Sequence, residues 1–292
     1  MNKPLWLLLG TGAALGLNFP LGKLAIEAGV HPVLWAALIC LGGGLTMALA
    51  SRMVEAGPRG AMPLRYSATS GFLSYVVPHA LTFLAIPHIG SGLAAIMFAM
   101  SPVTTALLSL ILRVRPPTAL GLLGIALGLA GAVVIVWSKG ANFAGGDPRW
   151  LLIATLIPLF LGIGNVYRTL GWPAGEGPLR LASLTNLAAV PWLVCVAAAL
   201  GGLNLAPLAA IPGLVAVQIV VSTIMFLMFF RLQQIGGPTY LSQIGYVAAI
   251  IGVAAGITWF GETYPAGVWL GAAVVAAGIA LTTLAQWRPN RA

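Results

Sequence analysis

The sequence predicts an all-α integral membrane protein of ten transmembrane helices, arranged as two inverted five-helix repeats. Three observations lead there: an apolar composition, ten apolar runs of bilayer length, and a self-similarity between the two halves. Of 292 residues, 60% are hydrophobic and 7% charged, and mean hydropathy is +1.00. Soluble domains carry roughly a quarter charged residues, so a water-facing surface cannot be assembled from this chain. The net charge of +9 comes from 14 Lys and Arg against 5 Asp and Glu. That is a scarcity of acids without a basic tract, and it argues against nucleic acid as a partner.

A helix crosses the hydrocarbon layer in roughly 17–25 mostly apolar residues. Such runs cover 4–24, 31–51, 66–86, 89–112, 117–138, 150–170, 179–200, 211–232, 237–260 and 265–286. The first begins like a secretory signal, but it leads to Lys23 and Glu27 without a small-residue cleavage site, so it reads as a membrane helix. The longest polar connector, Ser138 to Arg149, divides the chain into a first repeat at 1–138, a periplasmic connector at 139–149 and a second repeat at 150–292.

Cytoplasmic loops retain Lys and Arg. With the N-terminus inside, only Lys23, Lys139 and Arg149 of the 14 basic residues fall outside. Ten spans then place both termini in the cytoplasm. At an offset of 147, Asn18 falls on Asn165, Gly124 on Gly271, Ala126 on Ala273, Ala130 on Ala277 and Gly131 on Gly278; at 146, Phe83 falls on Phe229 and Gly90 on Gly236. Five helices per half is odd, so the second half enters from the opposite face. Inverted repeats of this kind occur in many secondary transporters, with the site near the midplane between them.

Ionisable groups inside a bilayer are expensive and functional by default. None of Glu27, Glu55, Asp147, Glu176 and Glu262 lies at a helix centre, and Lys23 and Arg168 lie near helix ends, where long side chains can snorkel to the interface. A site built from what remains suits a neutral or zwitterionic small molecule. Three His in three separate places (31, 79 and 88) and no midplane acid do not make a catalytic cluster or a metal site. The expectation is therefore no enzyme, no catalytic residues, no metal and no cofactor. Cys40 and Cys195 read as small buried hydrophobes.

The polar residues left inside the spans are the candidate contacts. On the third helix Phe72, Tyr75, His79 and Phe83 are spaced to share one face. An aromatic face with one imidazole suits a solute with an apolar side chain and a polar head. Asn18 and Asn165 occupy matching places in the two halves, and a mid-helix amide must be satisfied by a neighbour, by water or by a solute. The fourth helix adds Met97, Met100, Ser101 and Thr104, the ninth adds Tyr240, Gln243 and Tyr246, and Asn186, Gln218 and Ser222 are weaker candidates. Adaptable methionines fit a broad cavity. Each of these residues could equally serve as helix–helix glue. Pro20, Pro78, Pro102 and Pro158 interrupt helical hydrogen bonding and are candidate hinges for alternating access, although Pro is also simply common in membrane helices. Gly121, Gly124, Gly128 and Gly131 on the fifth helix, and Gly267, Gly271 and Gly278 on the tenth, read as close-packing stripes.

Several segments carry a resemblance: GLNFPLGKLA (Gly16 to Ala25), SPVTTALLSLIL (Ser101 to Leu112), GIGNVYR (Gly162 to Arg168) and GETYPAGVWLGAAVVAAGIAL (Gly261 to Leu281). On these the chain resembles the drug/metabolite transporter superfamily, in its ten-helix EamA-type branch, over nearly its whole length. It departs at Leu15, where the family commonly has Trp, and at Arg115, the place that Glu262 fills in the second half. Within the branch it looks like the YddG-type exporters of amino acids. The resemblance implies helices 1, 3, 4, 6, 8 and 9 around a central cavity, with 5 and 10 peripheral. It implies a multi-pass transporter of the bacterial inner (plasma) membrane, monomeric or a weak homodimer. Its partners would be the lipid bilayer and a small-molecule solute, an amino acid or related metabolite. The alternative is efflux of drugs or other metabolites, with a membrane-embedded enzyme the rival class.

Overall fold

A computed structural model describes residues 3–55, 62–112, 118–141, 148–242 and 244–287. Among the described residues the chain is all-helical, without strands. The long helices are α1 Lys3–Glu27, α2 Pro32–Val54, α3 Leu64–Ile89, α4 Ser91–Ile111, α5 Ala119–Ala141, α6 Arg149–Leu170, α7 Pro178–Ala199, α8 Pro212–Ser242, α9 Ile244–Phe260 and α10 Ala266–Trp287. A five-residue helix, Ala206–Ala210, lies between α7 and α8. Seven described spans are long and apolar enough to cross a membrane, and three shorter apolar helices fall in α5, α9 and α10.

The outer surface confirms the solvent. Leu41, Leu45, Leu49, Val133, Leu152, Val220, Ile250 and Leu270 all face outward, a surface stable only against lipid. Exposed Trp137, Trp259 and Trp269 sit towards one end of the bundle, and Trp6 and Trp172 towards the other, as expected of rings that settle at the two membrane interfaces. The chain is thus a multi-pass helical membrane protein. Cys40 is buried as expected, but Cys195 is exposed; an apolar run does not say which of its faces meets lipid.

The packing obeys an exchange rule. α5 packs on α10, α2 on α7 and α4 on α9; α1 packs on α8 as α3 does on α6, α1 on α9 as α4 on α6, and α2 on α8 as α3 on α7. Adding or subtracting five from every label leaves this pairing unchanged, which is the pattern expected of two like halves. The glycine stripes meet where α5 crosses α10. A Cβ on Gly278 would lie 2.5 Å from the Gly128 nitrogen, and one on Gly131 would lie 2.7 Å from the Gly271 oxygen, so hydrogen alone fits there.

Helix ends depart from the apolar runs in one region. The apolar runs place a break between 232 and 237, yet α8 continues through it to Ser242. Neighbouring helices in a membrane bundle can compensate for the amide hydrogen that Pro238 lacks. In the first half Gly90 does break the chain, with φ +87, and separates α3 from α4. The halves differ here.

Candidate functional site

Two helix irregularities shape the interior. α3 contains a π-helical segment, Phe72–Val76, directly before Pro78, and α4 pauses at Met100 before Pro102. Such bulges occur mostly at functional places. Widening the turn also changes which residues share a face. Phe72, expected on the interior stripe, instead points outward and packs edge-on against Trp192 at 5.6 Å. Tyr75, His79 and Phe83 stay together, with ring centroids 5.6 Å apart from Tyr75 to His79 and 6.4 Å from His79 to Phe83. Phe226 of α8 closes on Tyr75 at 6.1 Å.

A cavity lies beside these rings, lined by Leu15, Asn18, Phe19, Ile39, His79, Thr82, Phe83, Phe98 and Met225. It is contributed by α1, α2, α3, α4 and α8; α6 and α9, which the resemblance places around it, do not line it, and α2 does through Ile39. Its volume is about 20 Å³, space for roughly one water and too little for an amino acid.

The polar wall of the cavity runs deeper than the lining. Gln218 Nε2 donates to Asn18 Oδ1 at 2.5 Å and to Ser222 Oγ at 2.7 Å, and Asn18 Nδ2 donates to the Ala14 carbonyl at 2.8 Å. Asn18, Gln218 and Ser222 are all buried. Thr82 Oγ1 on the lining and Gln218 Oε1 behind it have no hydrogen-bond partner among the described residues. A buried polar atom left unpaired costs about 1–3 kcal/mol, so two beside one cavity mark a place where water or solute completes the bonding.

Asn165 is not part of that wall. Its Nδ2 donates to Thr105 Oγ1 at 3.1 Å, and its Oδ1 accepts from Arg168 Nη2 at 2.5 Å. The matching asparagines therefore serve different neighbourhoods. Tyr66 and Tyr167 stack beside Arg168 with centroids 5.8 Å apart, and Tyr75 lies near both Arg168 and Asn186. Met97 and Met100 are buried in the apolar core, not on the cavity wall, and Tyr246 packs against the same core. Ser101 presents its carbonyl to the Thr104 and Thr105 hydroxyls at 2.9 and 2.7 Å. Gln243 lies outside the described residues. Of the hinge candidates, Pro20 and Pro158 sit inside α1 and α6, while Pro78 and Pro102 follow the two irregularities. Thr104 Oγ1 donates to the Pro158 carbonyl at 2.5 Å, tying α4 to α6 at that proline.

At the other end of α3 the chain closes on a carboxylate. Glu262, in the turn between α9 and α10, accepts from Lys23 Nζ at 2.7 Å, Ser91 N at 2.8 Å, Ser91 Oγ at 3.1 Å and Gly92 N at 3.2 Å. The Tyr264 hydroxyl donates to its second oxygen. Burial pushes the Glu262 carboxyl up, but the bonds from Lys23, Tyr264 and the two amides outweigh it and hold the group below its ordinary value of 4.5. Burial, then the neighbouring carboxylate, push the Tyr264 phenol up. Lys23, expected to snorkel, instead turns inward to Glu262 and lies 4.2 Å from the Phe260 ring centroid. The carboxylate sits on the N-terminal amides of α4, where a negative charge is favoured.

Of the residues expected as contacts, Asn18, His79 and Phe83 line the cavity and Tyr75 packs against His79. Gln218 and Ser222, the weaker candidates, bond to Asn18 behind that lining, and two polar residues four apart in an apolar run are their signal. Leu15, Ile39, Phe98 and Met225 could not be singled out, because apolar residues on a cavity look like apolar residues anywhere.

Comparison with known proteins adds family and fold. Residues 2–137 match the EamA-like transporter family, which meets the resemblance in the first half and supports a role in transport. A solved chain described as "Crystal structure of protein" superposes with a TM-score of 0.63 at 20% identity, covering 95% of this chain and 98% of that one; at that identity the likeness concerns the fold. No curated protein matches this chain.

Proposed function

We propose that the chain is a secondary transporter that exports small neutral or zwitterionic metabolites by alternating access. Its cargo would be amino acids, aromatic ones included, as in the YddG-type exporters. The halves, 1–138 and 150–292, would rock about the central cavity, with Pro20, Pro78, Pro102 and Pro158 as flexible points. Both termini would face the cytoplasm of a bacterial cell, and the protein would act in its inner membrane as a monomer or weak homodimer. The observation that carries this reading is the cavity among α1, α3 and α8, whose wall pairs aromatic rings with buried polar atoms that lack partners. A lipid-excluded interior tolerates such atoms where solute or water visits.

Protein purified into liposomes and loaded with a panel of labelled amino acids tests this directly. Gradient-driven flux of amino acids, strongest for aromatic ones, is expected. Absence of amino-acid flux beside clear flux of a lipophilic cation would overturn the reading in favour of drug efflux. His79→Ala should change the preference between aromatic and aliphatic cargo; wild-type flux and preference would return His79 to a packing role.

A further inference from the structure

We infer that Arg168 receives the carboxylate of the transported solute at the end of the pathway opposite Glu262, which makes the cargo a carboxylate-bearing molecule. This rests on the transporter reading above and names the group of the cargo that the protein recognises. Arg168 is half-buried, donates to Asn165 Oδ1 and lies within hydrogen-bonding reach of the Tyr75 hydroxyl. Asn165 is itself tied to Thr105 of α4, so the guanidinium is held by a two-step chain of side chains. A guanidinium carries five N–H donors in a planar fork that matches a carboxylate, more than the bonds to Asn165 and Tyr75 use.

Among the described residues the acids lie elsewhere. Glu262 holds Lys23, Glu176 pairs with Arg180 at 2.9 Å, and Glu55 caps α7 by accepting from the amides of Leu179 and Arg180 at 2.9 and 3.1 Å. Glu27 is exposed at the far end of α1. Around Arg168 the side chains are polar and aromatic: Tyr66 stacked on Tyr167, and Tyr75 towards Asn186. Asn186 is fully buried and its Oδ1 lacks a partner among the described residues, as does Ser74 Oγ on the same helix as Tyr75. A carboxylate meeting Arg168 finds hydroxyl donors beside it, and the Asn186 oxygen offers an acceptor for an ammonium. The two ends of a zwitterion are both provided for, while its side chain faces the Tyr75–His79–Phe83 rings.

The test compares an aromatic amino acid with its carboxamide as competing cargo in liposomes, for wild type, Arg168→Gln and Arg168→Lys. Wild type should favour the acid, and Arg168→Gln should raise the KM for the acid by roughly tenfold to a hundredfold, the worth of a charged hydrogen bond, with the amide unchanged. Arg168→Lys should fall between, since an ammonium supplies charge without the fork. Equal handling of acid and amide by wild type, or an equal loss of both in Arg168→Gln, overturns the assignment. The wild-type comparison stands even where a variant fails to fold. Failure of wild type to move any amino acid sinks the transporter reading instead, and is distinguishable because no variant is needed to see it.

Discussion

The two ends of α3 hold one inward-turned cation each, and they are finished differently. At the Ser91 end Lys23 meets a carboxylate that also collects two backbone amides and two hydroxyls. At the Tyr66 end Arg168 meets the neutral oxygen of Asn165 and the Tyr75 hydroxyl, and no carboxylate is among its described partners. Both cations lie on helices that the repeat equates, α1 and α6, so the difference is not topological. It comes from one acid, Glu262, supplied by the turn after α9. An end whose charges are mutually satisfied needs nothing from solution. An end whose cation lacks a counter-charge gains from a visiting anion.

The largest effect should follow from removing the acid. Glu262→Gln leaves Lys23 without its partner in a place where the two side chains are only 17% and 10% exposed. Breaking such a pair should cost about 2–3 kcal/mol, below the full value for a buried pair because both groups keep some solvent. A lowered melting temperature in detergent and faster hydrogen exchange at the amides of Ser91 and Gly92 would show it. The pH dependence carries a sign. Because the Glu262 carboxyl is held below 4.5 in the folded protein, its contribution is fully present above that value and is lost as pH falls through and beneath it. Wild type should therefore lose stability on acidification and Glu262→Gln should lose less. Equal acid sensitivity of the two would show that the carboxylate does not secure this end.

Gly90→Ala attacks the same end through the backbone. Gly90 has φ +87, and a Cβ there would come within 2.8 Å of the Glu262 carboxyl. Strain in that backbone region costs on the order of 1–3 kcal/mol, so the variant should resemble Glu262→Gln but retain its acid response. Lys23→Gln should be milder, about 1 kcal/mol, because the carboxylate keeps its four other donors. A Lys23→Gln effect as large as that of Glu262→Gln would mean that the ion pair, and not the capping of α4, carries the closure.

The bundle was legible in the sequence because hydrophobic length and Lys/Arg bias report on the bilayer, and both are set by composition. Eight of the ten runs lie within a few residues of the observed helices; the exception is the α8–α9 boundary, expected between 232 and 237, where α8 continues to Ser242. The site was partly legible. Asn18 and His79 stood out as polar residues in apolar runs, and the structure sets both on the cavity. The fate of Phe72 was not legible, since a π turn leaves no mark in residue type. Glu262 was visible only as part of a family ending, because what it does depends on Lys23 and Ser91, far away in sequence.

Asn165→Ala gives the smallest stability effect and the finest discrimination between the two ends. Asn165 is half-buried and its removal leaves Thr105 able to bond the Ser101 carbonyl it already holds at 2.7 Å. The fold should lose about 1 kcal/mol or less. Its Asn18 counterpart differs: Asn18→Ala would strand Gln218 and Ser222 in a buried site, at a cost of about 1–3 kcal/mol. What Asn165→Ala should change is the aim of Arg168, one of whose described partners it removes. Uptake of an aromatic amino acid should then weaken several-fold in KM while uptake of its carboxamide holds steady, a smaller copy of the Arg168→Gln pattern. If the variant instead tightens binding of the acid, Asn165 competes with the solute for the guanidinium rather than aiming it, and the Arg168 end is held in check by its own neighbour much as the other end is held by Glu262.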